Sequence, residues 1–200
     1  MSILFVGADY DFILEIRERY SSKEIIGYTS NIDHFYKEIP YFGSLRDKPE
    51  LDPQTKLIIA TSDIVFRKFV VSQWSENITE YVSDKAIFLG NINLQMGTTI
   101  SMNSFVSGGC TIGMMSSIGA FCRLHHGSIV GDYCVISPGS TLLGNSEIAS
   151  ECFVGANATI LPSVKVSNNC IIGAGSVVVE DTKPFGVYAG NPAKLIRLID

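Results

Sequence analysis

The chain contains no hydrophobic run long enough to cross a bilayer, which argues against an integral membrane protein. Its first residues, MSILFVGADYD, lack a basic segment and turn acidic after a short apolar run. A secretory signal is therefore not expected, and the cytoplasm is the expected setting. Positive charge is in deficit: 15 Lys and Arg stand against 20 Asp and Glu, a net charge of −5. That balance leaves no footprint for nucleic acid and none for an anionic membrane surface. What remains, 46% hydrophobic and 18% charged in 200 residues, suits a globular protein of one large or two small domains.

The dominant pattern is a repeat of six residues between Phe88 and Lys183. Every sixth residue from Phe88 through Leu94, Ile100 and Val106 to Val178 is large and apolar, sixteen in succession without an insertion. Four residues after each stands a second column, mostly small (Thr98, Ser104, Cys110, Ser116), with Ile92 and Val164 as larger exceptions. Glycine, proline and asparagine crowd the third position, as at Gly108, Pro138, Gly144, Pro162 and Asn168. A helix needs apolar residues every three to four positions and a strand every two, so a strict period of six is neither alone. It fits a short strand plus a corner, three units making one triangular turn of a parallel β-helix. The first position then points inward, the small residue fills the interior beside it, and the third position takes the corner dihedrals. Equivalent residues stack at roughly 4.8 Å, the spacing of parallel strands.

All five cysteines, Cys110, Cys122, Cys134, Cys152 and Cys170, occupy the small inward position. A disulfide or metal framework has no reason to obey that register, so they read as core filler in a reducing compartment. Cys134, Cys152 and Cys170 share one column, but parallel inward side chains are poorly aimed for a disulfide.

Residues 1–83 are a different kind of sequence. Strands are expected at Ile3–Val6, Ile25–Tyr28 and Lys56–Ala60, and helices over Asp11–Tyr20, with Asp11 as N-cap, and from Ser62 or Asp63 to Trp74. Alternating strands and helices predict a small α/β domain with a parallel sheet. Ligands of such sheets bind at the carboxyl ends of the strands, which here carry Asp9, Tyr10, Thr29, Ser30, Ser62 and Asp63. The Gly7-Ala8-Asp9 turn lacks the glycines that let a backbone close on a diphosphate. His34 reads as a surface histidine. Residues 75–87 form a polar connector, and the tail 184–200 is expected to end in a short helix from Pro192. The resulting division is 1–83, 84–183 and 184–200.

The hexad array together with the terminal GVYAGNPAKLIR resembles the left-handed β-helix hexapeptide-repeat acyltransferases. A small Rossmann-like α/β domain ahead of the array is similar to the layout of bacterial sugar acetyltransferases. These include the N-acetyltransferases of nucleotide-linked amino-deoxy sugars, used for surface glycans, and the sialic acid O-acetyltransferases. The resemblance implies a left-handed helix, acetyl-CoA as acyl donor, no metal, and a homotrimer with active sites between neighbouring prisms. It implies a histidine general base in the stretch Leu124-His125-His126-Gly127-Ser128-Ile129-Val130-Gly131-Asp132, with His126 at the corner position and His125 in reserve. It further assigns the small corner residues Gly144, Ala156 and Ala174 to the donor's pantetheine arm, and Lys194 and Arg197 to its phosphates. Asp9, Tyr10, Thr29 and Ser62 are the expected acceptor contacts.

The residues agree with that choice of base. The positions eighteen before and after His126 are Gly108 and Gly144, leaving the imidazole room for a substrate. The chain departs from the family at Gly127, where many relatives carry a carboxylate, at Val135 in place of a second histidine, and at Gly119. An orienting acid would have to come from Asp132 or a neighbouring subunit. Asp9 and Asp11 are poor company for a diphosphate, so a non-nucleotide acceptor is the alternative. A zinc hydratase on this fold needs three converging histidines, and the repeat has two, adjacent in sequence. No threonine ladder supports ice binding, and an assembly scaffold is the non-enzymatic alternative.

Overall fold

The computed structural model describes residues 2–7, 9–21, 24–30, 39–41, 43–44 and 51–199; His34 lies outside them. The chain divides into two compact units, Met1–Tyr81 and Val82–Asp200.

The first unit holds a three-stranded parallel sheet of β1 (Ser2–Val6), β2 (Ile25–Thr29) and β3 (Thr55–Ile59) in the order β2-β1-β3. Being central, β1 buries Ile3, Leu4, Phe5 and Val6 completely, which is why it is continuously apolar rather than alternating. Helix α1 spans Tyr10–Arg19 and α2 spans Ile64–Trp74. Asp9, not the expected Asp11, caps α1: its carboxylate accepts the Phe12 N–H at 3.1 Å. Asp63 caps α2 in the same way, accepting from Phe66 at 3.0 Å. Gly7 sits at φ +114, and a Cβ there would collide with the Ala60 carbonyl, so this glycine serves the close approach of two strand ends. The connector contains a short 3-10 turn, Ser75–Asn77.

The second unit is a parallel β-helix. Two-residue strands pair with those eighteen residues away, as Ser117↔Val135, Arg123↔Thr141 and Ile129↔Glu147 show, and they stack into three faces. The first-position residues from Ile100 to Val178 form one continuous buried core. The array begins one hexad earlier than the apolar run suggests: Val82 is in register, and the Ser83 N–H donates to the Ile100 carbonyl at 2.9 Å.

Two features of the repeat differ from expectation. The left-handed dihedrals fall on the fourth position of each unit rather than the third, from Gly97 and Asn103 through Asn145 to Asn169 and Gly175. Glycine and asparagine suit that conformation, yet Met115, Phe121 and Tyr133 adopt it too, because the strands flanking each corner dictate the turn. The second column, moreover, is chosen for a donor as well as for size. Ser104 Oγ donates to the Gly119 carbonyl at 2.8 Å, Ser116 Oγ to Gly131 at 2.7 Å, and Cys134 Sγ to Ala149 at 3.0 Å. Each bond ties one corner to the next turn. The cysteines are all free and buried, and burial pushes the Cys122 thiol up to about 11.

Ser116 also accepts the buried Cys134 N–H at 2.8 Å, whereas the equally buried Ser146 hydroxyl has no partner among the described residues. Ser116→Ala is therefore expected to cost about 1–3 kcal/mol, while Ser146→Ala is neutral or slightly stabilising. Urea unfolding of the two variants checks the contrast.

The tail is not a helix. Gly186–Gly190 and Ala193–Leu198 form an antiparallel hairpin whose first strand continues the face of Ile171–Ile172, with a cis Asn191–Pro192 bond at its turn. The open edge of the Gly186–Gly190 strand offers backbone groups that an isolated helical turn cannot match, and Ile196 suits a strand.

Candidate active site

The strand Arg123–Leu124 delivers His125 and His126 to one corner of the β-helix. On the other two corners, second-position glycines lie against the backbone of the next turn. A Cβ on Gly131 would stand 2.7 Å from the Ser150 nitrogen, and one on Gly155 2.6 Å from the Ala174 nitrogen. At the histidine corner the same position carries Leu89, Ser107, His125, Leu143 and Leu161, with no glycine among them. His125 is half-buried and meets the Phe105 ring edge-on, centroids 6.1 Å apart.

His126 is exposed, and its imidazole makes no hydrogen bond among the described residues. The ring packs against the next turn: a Cβ built on Gly144 would fall 2.5 Å from His126 Nε2 and 2.7 Å from Cε1. Gly144 is buried, unlike the third-position Ala156 and Ala174 on another corner, and the imidazole is what covers it. On the opposite side the space beside Gly108 is free of the ring; a Cβ there would meet the Leu89 oxygen at 3.1 Å and nothing of His126. Backbone bonds hold this corner in place. Asn145 donates its N–H to the His126 carbonyl at 2.9 Å, and the Gly144 carbonyl accepts from Ser163 at 3.1 Å. The Gly144 N–H itself has no acceptor among the described residues.

Gly127 sits in the left-handed region, and the Asn145 carboxamide oxygen occupies the place its side chain would take. Asp132 does not reach back to His126. It stands on the next corner, where Oδ1 accepts the Met114 N–H at 2.9 Å. That bond belongs to a ladder continued by Ser150 to Asp132 N–H (3.1 Å) and Asn168 to Ser150 N–H (3.0 Å), so its carboxylate is already engaged.

The small residues separate into two places. Ala156 and Ala174 stack in one column, and Gly144 belongs to the histidine column, across the face that carries Arg123 and Thr141. Lys194 Nζ pairs with Glu180 at 3.0 Å on the exposed hairpin, and Arg197 donates to the Leu198 carbonyl. In the first unit, Asp9 serves as helix cap and Tyr10 opens α1. Thr29 is buried and donates to the Gly43 carbonyl at 2.6 Å, while Ser62 is exposed. Phe105 and Asn145 were not marked by the sequence. The register places Asn145 eighteen residues after Gly127, but nothing in its type distinguishes it from the other corner asparagines.

With this geometry in place, comparison with known proteins is informative. The bacterial transferase hexapeptide (six repeats) family matches residues 109–144 and 145–179. That match spans 109–179 within the β-helix. Both histidines lie in its first half. Among solved structures, the array and the unit before it are similar to a mutant perosamine N-acetyltransferase from Caulobacter crescentus in complex with CoA and GDP-perosamine. Identity there is 19%, TM-score 0.84, with 98% of this chain and 96% of that chain covered. The acetyltransferase domain of PglB from Neisseria gonorrhoeae with acetyl coenzyme A gives 19% identity and TM-score 0.86, covering 98% of each chain. WeeI from Acinetobacter baumannii gives 18%, 0.85, and 98% and 100% coverage. No curated protein sequence matches significantly.

Proposed function

We propose that the protein is an acetyl-CoA-dependent sugar acetyltransferase that transfers acetyl directly to an amino-deoxy sugar, with His126 as general base. The observation that carries this reading is the exposed His126 imidazole seated on Gly144 within a hexapeptide array. The likeness to a CoA- and GDP-perosamine-bound N-acetyltransferase and to an acetyl-CoA-bound PglB domain supports acetyl-CoA as donor and a nucleotide-linked amino sugar as acceptor. The left hand of the helix and a Rossmann-like role for the first unit belong to the same reading.

His126 Nε2 takes the proton of the acceptor nitrogen as that nitrogen attacks the thioester carbonyl carbon. The C–N bond forms, the C–S bond breaks, and the proton passes to the CoA thiolate. Help of about 10²–10⁴-fold is typical of such a base. The Gly144 N–H, which has no acceptor of its own, is the donor for the developing oxyanion. Ala156 and Ala174 offer side chains small enough for a pantetheine arm to lie against the backbone, with Lys194 towards the phosphates. Asp9, Tyr10, Thr29 and Ser62 remain the acceptor candidates of the first unit. No cysteine competes as nucleophile, since all five are buried.

The face that ends at His125 supports a homotrimer in this reading. Ile87 and Leu89 are each 56% exposed there, and Phe105, Leu143 and Leu161 continue the apolar surface. A neighbouring prism covers such a surface and completes the groove beside His126.

The alternative acceptor is sialic acid or another non-nucleotide sugar, favoured by the Asp9 and Asp63 carboxylates that already occupy both helix N-termini. The test is product analysis after incubation with acetyl-CoA and UDP- and dTDP-4-amino sugars, CMP-sialic acid and free sialic acid. An amide product from a nucleotide sugar is expected. An alkali-labile ester on sialic acid would replace the N-acetyl reading, and no product with any acceptor would leave the scaffold.

A further inference from the structure

Arg123 is a cation without a counter-charge among the described residues, and it stands on the two turns that carry His126 and Gly144. It opens the strand that leads to His126, and Thr141, its partner in the next turn, opens the strand that leads to Gly144. His126 follows Arg123 by three residues and Gly144 follows Thr141 by three, so at most roughly 10 Å of chain separates each pair. The outward positions of this face are Ile87, Phe105, Arg123, Thr141, Thr159 and Val177, and Arg123 is the one charge among them. Neither flanking corner carries a carboxylate on the turn of Arg123 or on the turn to either side. Elsewhere the array supplies the counter-charge itself: Lys165 meets Glu147 at 3.1 Å, and Lys194 meets Glu180 at 3.0 Å.

The guanidinium is nonetheless held. Its Nε donates to Oγ1 of the buried Thr141 at 3.2 Å, which lays the side chain along the face toward the Gly144 turn. Both Nη groups, the fork that grips a carboxylate or phosphate with two parallel bonds, are left without an acceptor among the described residues. A neighbouring prism laid over this face would take the cation out of bulk water, where an unpaired charge is costly. The counter-charge then comes from outside the chain. The phosphates of acetyl-CoA stand a full pantetheine arm away from the thioester, beyond a residue three positions from the base. The acceptor carries its charge closer. A nucleotide-linked amino sugar has a phosphate on its anomeric carbon and sialic acid has a carboxylate, each within one sugar residue of the atom that attacks.

We propose that Arg123 binds the anionic group of the sugar acceptor and so selects which acceptors reach His126. Its Nη groups take the phosphate or carboxylate oxygens, and Thr141 holds the fork in line through Nε. The nucleophile at the other end of the sugar is then presented to His126 Nε2. This inference rests on the acetyl-transfer reading and deepens it, because it makes the enzyme selective for acceptors that carry an anion.

The test is acetyl transfer to three forms of one 4-amino-4,6-dideoxy sugar: the nucleotide diphosphate, the 1-phosphate and the neutral methyl glycoside. Sialic acid and its methyl ester complete the set. Arg123→Met, which keeps the stem and removes the fork, is expected to raise KM for the phosphate-bearing sugars by about 10–10²-fold. Its kcat should fall by less than about threefold, with KM for the methyl glycoside and for acetyl-CoA unchanged. Arg123→Lys should recover part of the loss, since it restores the charge without the fork. A loss on sialic acid that spares its methyl ester would support the inference with the carboxylate as the anion. Equal losses on charged and neutral acceptors, or a rise confined to KM for acetyl-CoA, would overturn it and leave the acetyl-transfer reading standing. A changed oligomeric state in sedimentation with unchanged acceptor KM would overturn it too, by assigning Arg123 to a neighbouring subunit. Absence of transfer to every acceptor by the wild-type protein would remove the acetyl-transfer reading itself, and the inference with it.

Discussion

His126→Ala is expected to lower kcat by about 10²–10⁴-fold, the range associated with loss of a general base. Affinity for acetyl-CoA should be unchanged or improved, because the ring that covers Gly144 is gone. Stability should not move, since the imidazole is exposed and makes no hydrogen bond among the described residues. His125→Ala provides the contrast. That ring is half-buried against Phe105, so its loss disturbs packing beside the corner more than proton transfer. Steady-state rates of the two variants at saturating acceptor separate the roles. A larger loss of kcat in His125→Ala would move the base by one residue.

Gly144→Ala should reduce kcat/KM for acetyl-CoA by about 10²-fold, a loss of the size seen when a reacting group is displaced by an ångström. The added methyl would lie 2.5 Å from His126 Nε2, so it must push the ring aside. Unlike the imidazole, it cannot then move out of the donor's way. The backbone at 144 is not in the left-handed region and the clash is with the end of a flexible side chain, so stability should fall by less than about 1 kcal/mol. Rates as a function of acetyl-CoA concentration, paired with urea unfolding, measure both effects. An unchanged kcat/KM in the folded variant would detach Gly144 from the donor site.

The β-helix was legible because its physics is periodic. An inward residue every six positions, from Phe88 to Val178, has one economical solution, and the strand pairings at eighteen residues are that solution. Corner chemistry was less visible. Gly, Pro and Asn are frequent at the third position, yet the left-handed residue is the fourth, where Phe121 and Tyr133 hide it. The second column read as filler because Ser, Cys and Thr are small; that Ser104, Ser116, Cys122 and Cys134 each donate to a carbonyl of the next turn depends on geometry that composition does not carry. The tail misled for a related reason. Pro192 suits a first helical turn, but the free edge of the Gly186–Gly190 strand decided the matter. At the candidate site, the column Gly108, His126, Gly144 follows from register alone. That the imidazole lies over one of these glycines and not the other does not, and neither does the engagement of Asp132 by Met114.

The measurement that bears most directly on the central claim is thiol release from acetyl-CoA by the wild-type protein, with and without a 4-amino sugar acceptor, alongside His126→Ala. Release that depends on the acceptor and falls by at least about 10²-fold in the variant is the predicted result. Acetyl-CoA binding without acceptor-dependent release, or release that survives in His126→Ala, would contradict it.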